Sequence, residues 1–229
     1  MIFNGFQKMT LLDFPGRVAC TIFSGGCNLR CPFCHNASLV LGGPMESYPD
    51  EEILEYLKKR TGLLDGVCFT GGEPLLRPDI KDFIYKVKQL GYAVKLDTNG
   101  CFPEKLRELI DQGLLDYVAM DVKNCLPKYG STVGIIDFDT APIEESIELL
   151  LEGKVDFEFR TTVVSPLHTV EDIEAIARRI KGAKKYFLQN FVDSGDIIGE
   201  GMTAHNTDTL TEMLKAAQKY IPEAQLRGV

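Results

Sequence analysis

GVCFTGGEP, residues 66–74, is a short apolar run that stops at a glycine-rich polar turn. Such a run reads as a strand. The glycines of the turn let backbone approach a ligand closely. The same layout recurs along the chain. RVACTIF (17–23) runs into SGGC, YAVKL (92–96) into DTNG and YVAM (117–120) into DVKN. FEFRTTVV (157–164) runs into SPLH, and YFL (186–188) into QNF. Amphipathic stretches separate these runs, at 50–60, 78–90, 103–112, 142–152, 170–181 and 207–220. Pro or Asp opens several of them, and Gly91, Gly113 and Gly153 follow three, as helix starts and stops should. The class is therefore α/β. Strand–helix repetition implies parallel strands joined by right-handed crossovers. The sheet is either doubly wound and open or curled into a barrel, and alternation does not separate the two. In both, ligands bind at the carboxyl ends of the strands, where the polar motifs fall.

The chain has 229 residues, 45% hydrophobic and 25% charged, with no linker or solenoid-type repeat. It reads as a single domain, 1–229, with 1–16 as an extension before the first barrel strand. The formal charge of −8 argues against a nucleic-acid-binding surface. No apolar run reaches the length of a membrane span, and the N-terminus lacks a signal-peptide layout. A cytoplasmic protein is expected. Seven cysteines, an odd and clustered set, suit metal ligation in a reducing compartment better than a disulfide framework.

Three of them, Cys27, Cys31 and Cys34, lie in SGGCNLRCPFCHN (24–36) with the spacing Cys-x3-Cys-x2-Cys. Three thiolates can hold three irons of a [4Fe–4S] cluster and leave the fourth open to a small molecule. The competing readings are a structural zinc site completed by His35, or a fully ligated cluster that borrows another cysteine. Cys20, Cys68, Cys101 and Cys125 have no motif spacing and read as buried small hydrophobes near strand ends.

CNLRCPFC followed by TGGEP resembles the radical S-adenosylmethionine (SAM) superfamily. The longer stretch FQKMTLLDFPGRVACTIFSGGCNLRCPFCHNASLV (6–40) is similar to the N-terminal part of glycyl-radical-enzyme activating proteins. Within these it most resembles the activators of anaerobic ribonucleoside-triphosphate reductase, with pyruvate formate-lyase activating enzyme also similar. The resemblance implies a partial (β/α)6 barrel, a [4Fe–4S] cluster on Cys27, Cys31 and Cys34, and SAM on the open iron. Reductive cleavage of SAM would give methionine and a 5′-deoxyadenosyl radical, which takes hydrogen from a glycine of a partner enzyme.

The resemblance also implies roles residue by residue. The Phe33 backbone would contact adenine, and His35 and Asn36 would touch SAM or cap the loop. Gly71 and Gly72, helped by Glu73, would take the SAM ammonium group. Asp97 and Asp121 would hold a monovalent cation beside the SAM carboxylate. Lys123 would reach SAM. Arg160, an arginine inside an apolar strand, would bind ribose or carboxylate, or else serve a structural salt bridge. His168 matches a SAM contact, and Asp13 an aspartate that contacts the substrate peptide. Lys95 and His205 read as surface or packing residues, and Tyr129 and Cys125 lie near the barrel mouth with no assigned chemistry. The chain after Val192 carries no matched motif. The reductant would be flavodoxin or ferredoxin. The competing functions are a small-molecule radical SAM enzyme, such as a 7-carboxy-7-deazaguanine synthase, and a non-enzymatic iron–sulfur or zinc protein.

Overall fold

The computed structural model describes residues 2–43 and 45–228. The elements run β1 (Ile2–Phe3), β2 (Gly5–Thr10), β3 (Ala19–Ser24), α1 (Ala37–Leu41), β4 (Tyr48–Pro49), α2 (Asp50–Arg60), β5 (Gly66–Gly71) and α3 (Ile80–Gln89). They continue with β6 (Ala93–Thr98), α4 (Pro103–Asp111), β7 (Tyr117–Asp121), α5 (Tyr129–Val133), α6 (Ala141–Leu151) and β8 (Asp156–Val163). The last are α7 (Val170–Arg179), β9 (Tyr186–Asn190), α8 (Thr207–Gln218) and β10 (Gln225–Arg227). Each expected strand and each expected long helix is present. Two of the helices start at a side chain that takes one of their free amide groups. Thr169 and Asp172 form a reciprocal cap on α7, and Asn206 caps α8.

The main sheet has eight strands in the order β10-β9-β8-β7-β6-β5-β3-β2. Every pair is parallel except β2 with β3. The edge strands β2 and β10 do not pair with each other, so the sheet is an open, partial barrel. β1 and β4, which pair antiparallel in a separate two-stranded sheet, were not expected, nor were two strands of the main sheet. β2 lies in the supposed N-terminal extension, where GFQKMT has no alternation to mark it; it becomes a strand by folding back along β3. β10 adds a further parallel strand to the expected six, and its three residues are too few for a periodic signal.

Successive strand residues face opposite sides, and the two sides differ in chemistry. The side under the helices is apolar. Ile22, Val67, Phe69, Val94, Leu96, Val118 and Phe159 are all fully buried there, in one core with Phe3, Ile53, Leu57, Phe83 and Ile84. Phe83 meets Phe3 edge-on at 4.9 Å and Phe69 at 6.0 Å. The inner side starts with small residues at its base. Ala19 and Ala93 pack with Phe14 and Tyr117 in a separate apolar cluster. Phe14, from the LLDFPG turn before β3, closes this end; a Cβ at Gly66 would come within 2.8 Å of its ring. Further along the same strands the inner residues are Lys95, Asp97, Asp121, Glu158 and Arg160. An arginine inside an apolar strand is thereby explained: its neighbours face the helices and it faces the barrel.

Phe69 joins the helix layer to the strand that carries Gly71 and Gly72. Phe69→Ala should lower unfolding free energy by about 3–5 kcal/mol through cavity formation, read from the urea midpoint at constant m-value.

Candidate active site

The site begins where β3 and β5 end side by side. Gly72 N–H donates to Ser24 O at 2.8 Å, and Glu73 N–H to Gly26 O at 2.9 Å. Gly71 has φ +117°, and a Cβ there would lie 2.4 Å from Ser24 O. A Cβ on Gly72 would lie 1.8 Å from Gly26 O. No side chain fits at either position. The cysteine loop is held against this seam at its other end too, because Asn36 Nδ2 donates to Gly71 O at 3.0 Å. Within the loop, Leu29 N–H points at Cys27 Sγ at 3.4 Å, and Cys34 N–H donates to Cys31 O at 3.0 Å.

One cavity at this end of the barrel is lined by Cys27, Cys31, Phe33, Cys34, His35 and Asn36 from the loop, and by Gly71 and Gly72 from the turn. Asp97, Asp121, Lys123 and Arg160 complete the wall from β6, β7 and β8. Residues separated by more than a hundred positions thus converge as the strand-end reading anticipates. Thr70, Asn99, Thr162 and Gln189 also line it and had no sequence signal beyond their place at strand ends.

The donor set fits a cluster. Burial pushes the Cys31 thiol up to about 12 and also raises Cys27, so thiolates here need a positive partner such as iron. Among the described residues no three His, Cys, Asp or Glu side chains are grouped to share a single metal ion. His35 stacks on Phe191 with ring centroids 5.4 Å apart, and burial lowers its pKa, so it is a neutral ring on the cavity edge. Asn99 Nδ2 donates to Asn28 Oδ1 at 2.8 Å and points at Cys27 Sγ at 3.7 Å.

The charged wall is a chain of ion pairs. Arg160 Nε donates to Asp121 Oδ1 at 2.9 Å and its NH1 to Asp97 Oδ2 at 3.3 Å. Lys123 Nζ donates to Asp121 Oδ2 at 3.0 Å, and Lys95 Nζ to Asp97 Oδ1. Burial alone would raise Asp121, but Arg160 and Lys123 hold it well below the usual carboxylate range. Burial alone would lower Lys123, yet Asp121 keeps it charged. Arg160 therefore both makes the salt bridge and faces the cavity. Of the two readings of Lys95, surface or packing, the surface one does not hold: it is 2% exposed and sits inside the barrel, two residues before Asp97 on the same strand face.

Glu73, His168 and Asp13 do not line the cavity. Glu73 is fully buried behind the turn. Its Oε2 accepts from Asn99 N–H at 2.7 Å, and its Oε1 from Thr98 Oγ1 at 2.9 Å and Leu75 N–H at 3.1 Å. It braces the loops after β5 and β6. His168 is also buried, and burial keeps it neutral. Its Nδ1 accepts from Val164 N–H at 3.1 Å, which leaves Nε2–H to donate to Lys123 O at 2.7 Å. It holds the backbone whose side chain enters the cavity. Asp13 accepts from Thr21 Oγ1 at 2.6 Å. Cys20 and Cys68 are fully buried as expected, whereas Cys101 and Cys125 are half-buried.

The segment after Val192 returns over the cysteine loop. Gly199 N–H donates to Pro32 O at 2.8 Å, and Asp196 Oδ2 accepts from Ser38 Oγ at 2.8 Å. Polar, irregular sequence gave no sign of this strap, because its bonds go to backbone and to a residue 158 positions away.

A family model for the radical SAM superfamily matches residues 21–180. The chain belongs to the radical SAM superfamily. A protein of Methanocaldococcus jannaschii, assigned by name to the glycyl-radical enzyme activating enzymes, is 33% identical over 99% of this chain and 95% of its own length. The chain is therefore a radical SAM enzyme of the activating type, acting with a [4Fe–4S] cluster and SAM. The pyruvate formate-lyase-activating enzyme of Clostridium pasteurianum is 27% identical over 80% of this chain and 84% of its own. In fold, a radical SAM methyltransferase from Sphaerobacter thermophilus superposes with a TM-score of 0.73 at 14% identity, over 96% of this chain and 68% of that one. Among the described residues no helix is long and apolar enough to cross a membrane.

Burial raises the Glu73 carboxyl from 4.5 to about 7, against three hydrogen bonds that favour its ionised form. A folded-state value above the ordinary one contributes stability that is full below pH 4.5 and lost as pH rises to about 7. Urea midpoints should fall across that window, and Glu73→Gln should flatten the slope. An unchanged slope in the variant would exclude Glu73 as its source.

Proposed function

We propose that the chain generates a glycyl radical on anaerobic ribonucleoside-triphosphate reductase. The observation that carries this reading is the convergence of the three cysteines, the Gly71–Gly72 seam and the Asp97–Arg160–Asp121–Lys123 chain on one cavity. The similarity of residues 6–40 to activators of that reductase favours it over pyruvate formate-lyase as the partner.

Bound at this site, the cluster and SAM supply reductive cleavage to methionine and a 5′-deoxyadenosyl radical. The residues do the positioning. Cys27, Cys31 and Cys34 hold three irons. The Gly71 and Gly72 backbone, which lines the cavity, receives the SAM ammonium group. Lys123 and Arg160 face the SAM carboxylate and ribose with charge that Asp97 and Asp121 keep in place. Phe33, 3% exposed and edge-on to His168 at 6.3 Å, supports the loop beside the adenine. Glu73 and His168 act one layer behind, fixing the loops after β5, β6 and β7. Flavodoxin or ferredoxin supplies the electron, and the reaction runs in the cytoplasm.

The reconstituted protein, reduced anaerobically with SAM and the reductase, should give a glycyl EPR doublet and 5′-deoxyadenosine. Deoxyadenosine without a doublet on any glycyl radical enzyme would replace this reading with small-molecule chemistry. Neither product, from protein with an intact cluster, would replace it with electron transfer. Cys31→Ala should lose the cluster and all SAM cleavage; wild-type iron content and EPR in that variant would remove Cys31 from the ligand set.

A further inference from the structure

The resemblance implies a free monovalent cation between Asp97 and Asp121. The donor set does not fit one. Two carboxylates offer four oxygens, and each oxygen already accepts from a cation of the chain. Lys95 takes Asp97 Oδ1, Arg160 takes Asp97 Oδ2 and Asp121 Oδ1, and Lys123 takes Asp121 Oδ2. Each oxygen keeps a further lone pair, but a metal ion placed here would meet three positive groups set against only two carboxylates. Three cations against two carboxylates leave a formal charge of +1, which suits an incoming carboxylate.

Lys95 differs from the other two cations. Arg160 and Lys123 line the cavity, whereas Lys95 does not. Its ammonium is buried inside the barrel, where it contacts Asp97 and, at 3.8 Å, Cys68 Sγ. The side chain is fully committed to bringing one positive charge under Asp97. Lysine is a costly residue to bury unless it is paired and hydrogen-bonded. Here the counter-charge is a carboxylate that also belongs to the cavity wall. An ammonium group has the charge of a potassium ion and a similar size.

We propose that the Lys95 ammonium is a built-in monovalent cation: it occupies the place of a bound ion at Asp97, so the site binds SAM without one. The proposal rests on the reading of the cavity as the SAM site, and it makes Lys95 a positioning residue.

The test uses the reconstituted wild type and Lys95→Met, which keeps the length of the chain and removes the charge. SAM affinity is measured by anaerobic calorimetry in tetramethylammonium buffer, with and without potassium. Crystals of each protein, with and without SAM, are soaked in a thallium(I) salt and examined by anomalous diffraction. Wild-type affinity should not respond to potassium, and no thallium peak should appear between Asp97 and Asp121. Lys95→Met should bind SAM about tenfold more weakly without potassium, regain most of that with it, and show thallium beside Asp97. A wild-type affinity that tightens tenfold or more with potassium, or a wild-type thallium peak between the aspartates, overturns the proposal. So does a folded Lys95→Met whose loss potassium and ammonium fail to rescue, since a purely structural lysine predicts that result. If the variant does not fold, the two wild-type measurements still decide. Absence of SAM binding under every condition would count against the functional reading instead, and the thallium maps would still judge the cation.

Discussion

The contact between the ends of β3 and β5 has no room for a side chain. Gly72 lies so close to the Gly26 carbonyl that any Cβ would overlap it, and Gly71 is bent into a conformation that favours glycine. The cysteine loop leaves the sheet at this seam, and Asn36 closes it by bonding back to Gly71. Cys27, Cys31 and Cys34 therefore hang from a rigid backbone joint. A cluster site needs that stiffness, because its ligands have to stay in place when the thiols are deprotonated.

The barrel interior obeys a different constraint. Its base is apolar and stoppered by Phe14, and its upper half is charged. Buried charges persist only when paired, and leaving one partner unpaired is destabilising. The pairing here is continuous across three neighbouring strands, from Lys95 through Asp97, Arg160 and Asp121 to Lys123. Glu158 starts a second set nearer the base, bonded to Arg227 and to the Tyr117 hydroxyl. These pairs hold the side chains at fixed orientations, so the cavity wall is organised before a ligand arrives.

Support for the site comes from outside the cavity. His168 bonds the Lys123 carbonyl, Glu73 bonds the Asn99 amide, and the segment after Val192 binds the Pro32 carbonyl and Ser38. Each of these residues sits in a motif or near a strand end, where sequence reasoning places it in direct contact with SAM or leaves it unassigned. Their polar groups are used up on backbone and on the Thr98 and Ser38 hydroxyls instead, which is the usual fate of buried polar atoms.

The repeated strand–turn motifs and the cysteine spacing were legible because they are local. Hydrophobic runs of strand length, the glycine-rich polar turns that end them and three thiols within eight residues carry their meaning without distant neighbours. They determined the α/β class, the strand ends as the functional edge and the three cysteines as candidate cluster ligands. The tertiary structure decided the rest. β2 and β10 are strands only because neighbouring strands pair with them. Lys95 and Arg160 are inward-facing only because the sheet curls, and Lys95 has a partner only because Asp97 sits two residues on along the same face. Whether a charged residue is solvated, paired or bound to a ligand depends on what the fold brings opposite it, and that information lies in contacts between residues far apart in the chain.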